Sequence, residues 1–109
     1  MLESLERMLA RGNDNPLLRF GLGKGYLDAG KVELAAEHLR HCVEQDPLYS
    51  AAWKLLGQAL LRQGDEQGAR RAWEQGSRVA CTRGDKQAER EIAVFLRKLD
   101  KPRREPGDA

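Results

Sequence analysis

The sequence of this chain holds few of the residues that build catalytic, metal-binding or disulfide-linked centres. Among 109 residues there are two cysteines, two histidines, four prolines and an aromatic fraction of 6%. Two cysteines without a framework spacing predict free thiols in a reducing compartment, by default the cytoplasm. The longest wholly apolar run, Ile92 to Leu96, is far shorter than the roughly 20 residues of a membrane-spanning helix. Glu3, Glu6 and Arg7 interrupt the apolar stretch at the N-terminus, so no signal peptide is expected.

Charge is plentiful but unevenly distributed. Residues 1–50 carry six basic and eight acidic side chains (net −2), whereas residues 51–109 carry thirteen and nine (net +4). The basic excess is concentrated in Arg97, Lys98, Lys101, Arg103 and Arg104. Cations in the last turn of a helix complement its dipole, and no aromatic residues alternate with these for base stacking. We therefore predict a flexible, solvated basic tail over residues 101–109 and no nucleic-acid partner.

Two segments of the chain superimpose when one is shifted by 34 residues. The matching pairs are Leu22 with Leu56, Gly23 with Gly57, Tyr26 with Leu60, Gly30 with Gly64, Ala35 with Ala69, and Leu39 with Trp73. A fixed period of about 20 to 50 residues is typical of stacked structural repeats. Such repeats bury their apolar faces only against their neighbours and form extended surfaces, which favours binding over catalysis.

The residues that carry this period resemble the tetratricopeptide repeat, a helix-turn-helix unit of about 34 residues. The second segment matches the family's pattern at Trp53, Leu56, Gly57, Leu60, Ala69 and Trp73. The first segment matches it at Leu22, Gly23, Tyr26, Ala35, Leu39 and Pro47. Arg19 stands where the first unit should have tryptophan, and Cys81 stands where the second should have proline. The resemblance covers residues 16–83 and is to a small bacterial-type repeat protein.

The resemblance implies an all-α fold, an α–α superhelix of two repeat units, and the apolar spacing agrees with it. Stripes at helical spacing predict four helices within residues 16–83. Leu2, Leu5, Met8 and Leu9 predict a helix before them, and Ala88, Ile92, Phe95, Leu96 and Leu99 predict a capping helix after them. We therefore predict one domain over residues 1–100 with six helices. Its parts are repeat 1 at 16–49, repeat 2 at 50–83 and the capping helix at 85–100.

Two clusters allow a chemical interpretation. The segment 21–25, Gly-Leu-Gly-Lys-Gly, looks like a phosphate loop, but that motif needs Ser or Thr after its lysine and a strand before it, so no nucleotide cofactor is expected. His38, His41 and Cys42 could donate three ligands to zinc, with Cys81 the other thiol. The simpler interpretation places Cys42 in the core and both histidines on the solvated side. No nucleophile, base and orienting group fall on adjoining elements, so an enzyme is not expected.

The resemblance also implies that the leading helix of each repeat lines a concave groove, which receives a peptide or a helix. The residues at these positions are Leu17, Phe20, Lys24, Leu27, Lys54, Gln58, Leu61 and Arg62. The cations Lys24, Lys54 and Arg62 suggest an acidic segment as the ligand. A clamp for a chaperone's C-terminal carboxylate is not expected, because Phe20 and Lys24 stand where that clamp has Lys and Asn.

The leading hypothesis is therefore a non-catalytic interaction module that binds a protein or peptide partner without a cofactor or a membrane. As an alternative, the chain self-associates through an exposed end or the same groove, as a weak homodimer instead of a monomer. A metal- or thiol-dependent site at His38, His41 and Cys42 is the third possibility. The N-terminal helix could also cover Leu17 and Phe20 and so close the groove.

Overall fold

The computed structural model describes residues 1–101, which form six α-helices and, within that range, no strand. The helices are α1 (Leu2–Ala10), α2 (Pro16–Asp28), α3 (Val32–Gln45), α4 (Ser50–Arg62), α5 (Glu66–Arg83) and α6 (Lys86–Asp100). This confirms the predicted all-α fold and the six helices. The predicted tail beyond Lys101 lies outside the described residues. None of the described helices is long and apolar enough to cross a membrane.

The helix boundaries follow the capping residues in the sequence. Asn15 precedes Pro16 and its side-chain oxygen accepts the backbone N–H of Leu18 at 2.9 Å. The carboxylate of Asp65 accepts the N–H of Gly68 at 2.8 Å in the same way at the start of α5. The turns after α2 and α4 use Gly30 (φ 79°) and Gly64 (φ 90°), a left-handed conformation that glycine adopts without strain.

The second helices of the two repeats, α3 and α5, end in different ways. In the first repeat α3 stops after 14 residues, just before Pro47, because proline cannot continue a helix. In the second repeat no proline is present, and α5 continues through Cys81 to a length of 18 residues. It ends at Gly84, whose φ of 71° reverses the chain toward α6. The missing proline noted in the sequence therefore lengthens the helix and leaves the fold intact.

The core lies between α2 and α3 and between α4 and α5, and continues onto α6. The largest fully buried side chains are Leu22, Leu39, Cys42, Trp73 and Ile92. The repeat's glycines set these contacts, since a Cβ on Gly23 would collide with Leu39 and a Cβ on Gly57 would collide with the indole of Trp73. Trp73 is 1% exposed, as expected for a core position.

Helix α1 is attached differently from the others. None of its residues is buried, and among the described helices it packs mainly against α2. A Cβ on Gly25 would lie 2.5 Å from a methyl of Leu2, and one on Gly21 would lie 3.3 Å from a methyl of Leu5. The two glycines of α2 that the repeat pattern does not require therefore let α1 approach closely. They form no phosphate loop, because they lie inside a helix.

Candidate functional site

A polar network occupies the place where the first repeat lacks its tryptophan. Arg19 donates two hydrogen bonds of 2.8 Å to the carboxylate of Asp14, and Gln45 donates a third of 2.8 Å. These bonds, that of Arg19 first, hold the pKa of Asp14 well below its usual range. Arg19 also donates to Nδ1 of His38 at 3.0 Å. The guanidinium thus links α2 to α3 where an indole would have packed.

His38 is 6% exposed, so the prediction that it faces solvent is wrong. Because arginine can only donate, Nδ1 of His38 accepts and the neutral ring carries its proton on Nε2, which faces Glu6 of α1 at 3.5 Å. The ring stacks on Tyr26 at a centroid distance of 5.6 Å, and the Tyr26 hydroxyl donates to Glu6 at 2.9 Å. Burial lowers the pKa of His38. The histidine is therefore a structural link between α1, α2 and α3.

The three candidate zinc ligands do not converge. Cys42 is fully buried, as predicted, and its thiol donates to the carbonyl of Pro16 at 3.3 Å. Burial raises the pKa of this thiol to about 11, which keeps it protonated. Within residues 1–101 no group of three or more His, Cys, Asp and Glu side chains is arranged to hold a metal ion. His38 is engaged by Arg19, so its Nδ1 lone pair is not directed toward Cys42.

The predicted groove residues of α2 form an open patch at their N-terminal end. Leu17 is 72% exposed, so α1 does not cover it. Phe20, one turn further along, stacks on Tyr49 with ring centroids 4.9 Å apart, and both rings are partly exposed. Lys24 follows on the same face and has no ion pair among the described residues. We call Leu17, Phe20, Lys24 and Tyr49 the N-terminal patch.

In the middle of the predicted groove, the side chains of Lys54 and Arg62 form bonds within the chain. Lys54 is paired with Glu91 of α6 at 3.2 Å, and Arg62 donates to the carbonyl of Leu27 at 3.3 Å. Leu27 itself is 5% exposed and belongs to the core, which corrects its assignment to the groove surface. The side chain packs inward because α4 lies directly beside α2 there. Of the three cations expected to make the groove basic, Lys54 is in an ion pair, whereas Lys24 and Arg62 are exposed and have none among the described residues.

A second opening lies between the ends of α4, α5 and α6. This cleft of about 430 Å³ is lined by Leu61, Glu66, Trp73, Phe95, Lys98, Leu99 and Lys101, and we call it the C-terminal cleft. Leu61 was predicted as a groove residue, and Gln58 on the same helix is half-buried. Tyr49 and the α6 residues were not predicted as site residues. Phe95 lies 34 residues after Leu61, so the repeat period contains the signal for it.

Comparison with known proteins agrees with this geometry. The family model described as "Tetratricopeptide repeat" matches residues 20–86. A relative in Pseudomonas aeruginosa, "TPR repeat-containing protein PA0015", is 70% identical over 103 residues, which cover 94% of this chain and 98% of the relative.

Two solved structures share the fold. The solution structure of protein BPP2914 from Bordetella parapertussis has a TM-score of 0.79 and 52% identity, over 91% of this chain and 86% of that one. The crystal structure of the Sgt2 TPR domain from Aspergillus fumigatus has a TM-score of 0.67 and 29% identity, over 99% of this chain and 76% of that one. Sequence period, helix packing and relatives lead to one conclusion: the chain belongs to the tetratricopeptide repeat family.

Proposed function

We propose that this chain is a non-catalytic interaction module whose N-terminal patch binds an apolar and acidic segment of a partner protein. Tetratricopeptide repeat proteins generally mediate protein–protein interactions and are generally not catalysts. The observation that carries the proposal is the 72% exposure of Leu17 beside the stacked rings of Phe20 and Tyr49. Contiguous exposed apolar and aromatic side chains are typical of the anchoring part of an interface.

The charge of the N-terminal patch indicates which kind of partner segment it binds. Lys54 is paired with Glu91, whereas Lys24 is exposed and has no ion pair among the described residues, so Lys24 is the cation that the patch offers to a ligand. The favoured segment therefore places one acidic side chain near Lys24 and a large apolar side chain over Leu17 and Phe20. We also propose a cytoplasmic location, which the two free cysteines support.

The test compares two matched double variants in binding to a purified partner. The partner is first captured from the native cell with the unmodified chain, and its affinity is then measured by isothermal titration calorimetry. Leu17→Ser with Lys24→Glu removes the anchor and reverses the charge of the patch. Leu34→Ser with Lys31→Glu makes the same chemical changes on α3 and just before it, where Leu34 is 40% exposed.

Loss of one anchor of about 1–2 kcal/mol should weaken binding roughly tenfold in the patch variant, while the control stays within about twofold. Equal affinities of the two variants for the partner would refute the N-terminal patch as the binding site. Sedimentation velocity over a range of concentrations addresses self-association. Should the unmodified chain dimerise, and the Leu17 variant not, the patch would be the interface of a homodimer instead of a partner site.

A further inference from the structure

The C-terminal cleft has the lining of a site for a large apolar side chain. Its apolar floor is formed by Leu61, Phe95 and Leu99, and Phe95 in turn stacks on the buried indole of Trp73 with ring centroids 5.1 Å apart. Leu61 is 37% exposed, and Phe95 and Leu99 are only partly buried. A cleft of about 430 Å³ falls within the range of ligand pockets, about 300–1,000 Å³. Aromatic and aliphatic surface is therefore open to a ligand here.

The rim of this cleft is positively charged. Lys98 and Lys101 both line it, and neither has an ion pair among the described residues. Asp100 lies between them in sequence but is bonded to Arg70 of α5 at 2.7 Å, so that carboxylate is already engaged. Glu66 also lines the cleft and is itself engaged in an interaction. Two ammonium groups beside an apolar floor are complementary to a ligand that combines a large apolar group with carboxylates.

The segment 102–109 does not have the composition expected of the ligand. Residues 102–109 read Pro-Arg-Arg-Glu-Pro-Gly-Asp-Ala and include no large aliphatic or aromatic side chain. Such a segment could offer carboxylates to the lysines but nothing to fill the apolar floor. Residues 102–109 therefore do not supply the apolar group that the cleft accommodates.

We propose that the C-terminal cleft is a second anchoring site, which binds a large apolar side chain adjacent to an acidic residue within a partner's protein segment. The proposal rests on the proposed function in that the ligand is a protein segment. An internal segment is favoured over a chain end because Leu61 belongs both to the cleft and to the groove stripe of α4, so a bound chain can continue toward α2.

Short peptides capped at both ends probe the cleft directly. The probe is acetyl-Gly-Phe-Asp-Glu-Gly-amide, titrated into the ¹⁵N-labelled full chain. One control peptide replaces both acidic residues by Asn and Gln, and another replaces Phe by Gly. A third, acetyl-Gly-Gly-Phe with a free carboxylate, represents a chain end. We expect the probe to shift the amide resonances of Leu61, Phe95 and Leu99 with the highest affinity of the four.

Two charge-reversal variants distinguish binding at the C-terminal cleft from nonspecific electrostatic attraction. Lys98→Glu with Lys101→Glu should weaken probe binding about tenfold, the combined effect of two exposed ion pairs. Arg90→Glu with Arg97→Glu makes the same charge change on α6 outside the cleft lining and should leave affinity within about twofold. Tighter binding of the free-carboxylate peptide, equal loss in both variants, or no shift at Leu61 and Phe95 would each overturn the proposal. The patch variants at Leu17 and Lys24 test the proposed function independently, so either proposal can fail alone.

Discussion

Replacing Gly57 by alanine should destabilise the protein, although alanine is the better helix former. The new Cβ would overlap atoms Nε1, Cδ1 and Cε2 of the Trp73 ring. That ring cannot move aside easily, because its N–H donates to the carbonyl of Lys54 at 2.9 Å and its face stacks on Phe95. Overpacking costs about 1–3 kcal/mol. Straining the hydrogen bond of Trp73 adds a cost of about 1 kcal/mol. The higher helix propensity of alanine offsets about 1 kcal/mol of the total.

The net expectation for Gly57→Ala is a loss of about 1–3 kcal/mol, toward the upper end because the ring is held on two sides. At about 4 °C per kcal/mol, thermal unfolding followed by circular dichroism should show a Tm lower by roughly 4–12 °C. Gly21→Ala is the matched control in another helix interior. Its Cβ would meet only a methyl of Leu5, at 3.3 Å, so it should be neutral or up to about 1 kcal/mol more stable. Equal Tm changes in the two variants would refute the reasoning from ring contact.

Three further predictions concern the core and its titratable groups. Trp73→Ala should lower the free energy of unfolding by about 3–5 kcal/mol in urea titrations, and Trp53→Ala by clearly less, because Trp53 is only partly buried. Burial lowers the pKa of His38 below its value of 6.5 in the unfolded chain, so stability should fall as the pH drops below about 6.5, and His38→Gln should flatten that slope between pH 7 and 5. A thiol reagent at neutral pH should modify Cys81 in the folded protein and Cys42 only after unfolding, since Cys42 is buried and burial raises its pKa to about 11. Rapid modification of both thiols, or a pH slope unchanged in the variant, would contradict these assignments.

The helices, their caps and the core could be predicted because local signals and the period agree. Asn15, Asp65 and Gly30 each determine a boundary through their own backbone or side-chain chemistry. The 34-residue register then states which apolar faces meet, since equivalent residues must pack equivalently. Nothing beyond neighbouring repeats is needed for this part of the fold.

Features that depend on α1 could not be predicted in the same way. Gly21 and Gly25 look superfluous until the position of Leu2 and Leu5 is known. The burial of His38 depends likewise on Arg19 and on Glu6 from a distant helix. These contacts link residues that the repeat register does not relate. The 34-residue period therefore does not predict them.

The candidate site could be predicted only in part from the sequence, for a related reason. Position in the repeat predicts which face a side chain takes, and the exposure of Leu17 and Lys24 agrees with the outward face expected for them. It does not identify internal partners, and the bonds of Lys54 and Arg62 arise from Glu91 and from a backbone carbonyl. In α6 the absence of Leu-Gly, with Arg90-Glu91 in its place, conceals the fact that Phe95 continues the period.

The polar network around Arg19 makes the two repeats unequal as building blocks for longer arrays. A shift of 34 residues carries Arg19 onto Trp53 and Asp14 onto Leu48. A tandem copy of the first repeat would therefore place a partly buried guanidinium beside leucine instead of the carboxylate that accepts its two 2.8 Å hydrogen bonds here. A partly buried charge that loses such hydrogen bonds costs about 1–3 kcal/mol. Trp53 of the second repeat makes no such demand on the unit before it, because its indole N–H needs only a backbone carbonyl, here that of Pro47 in the first repeat.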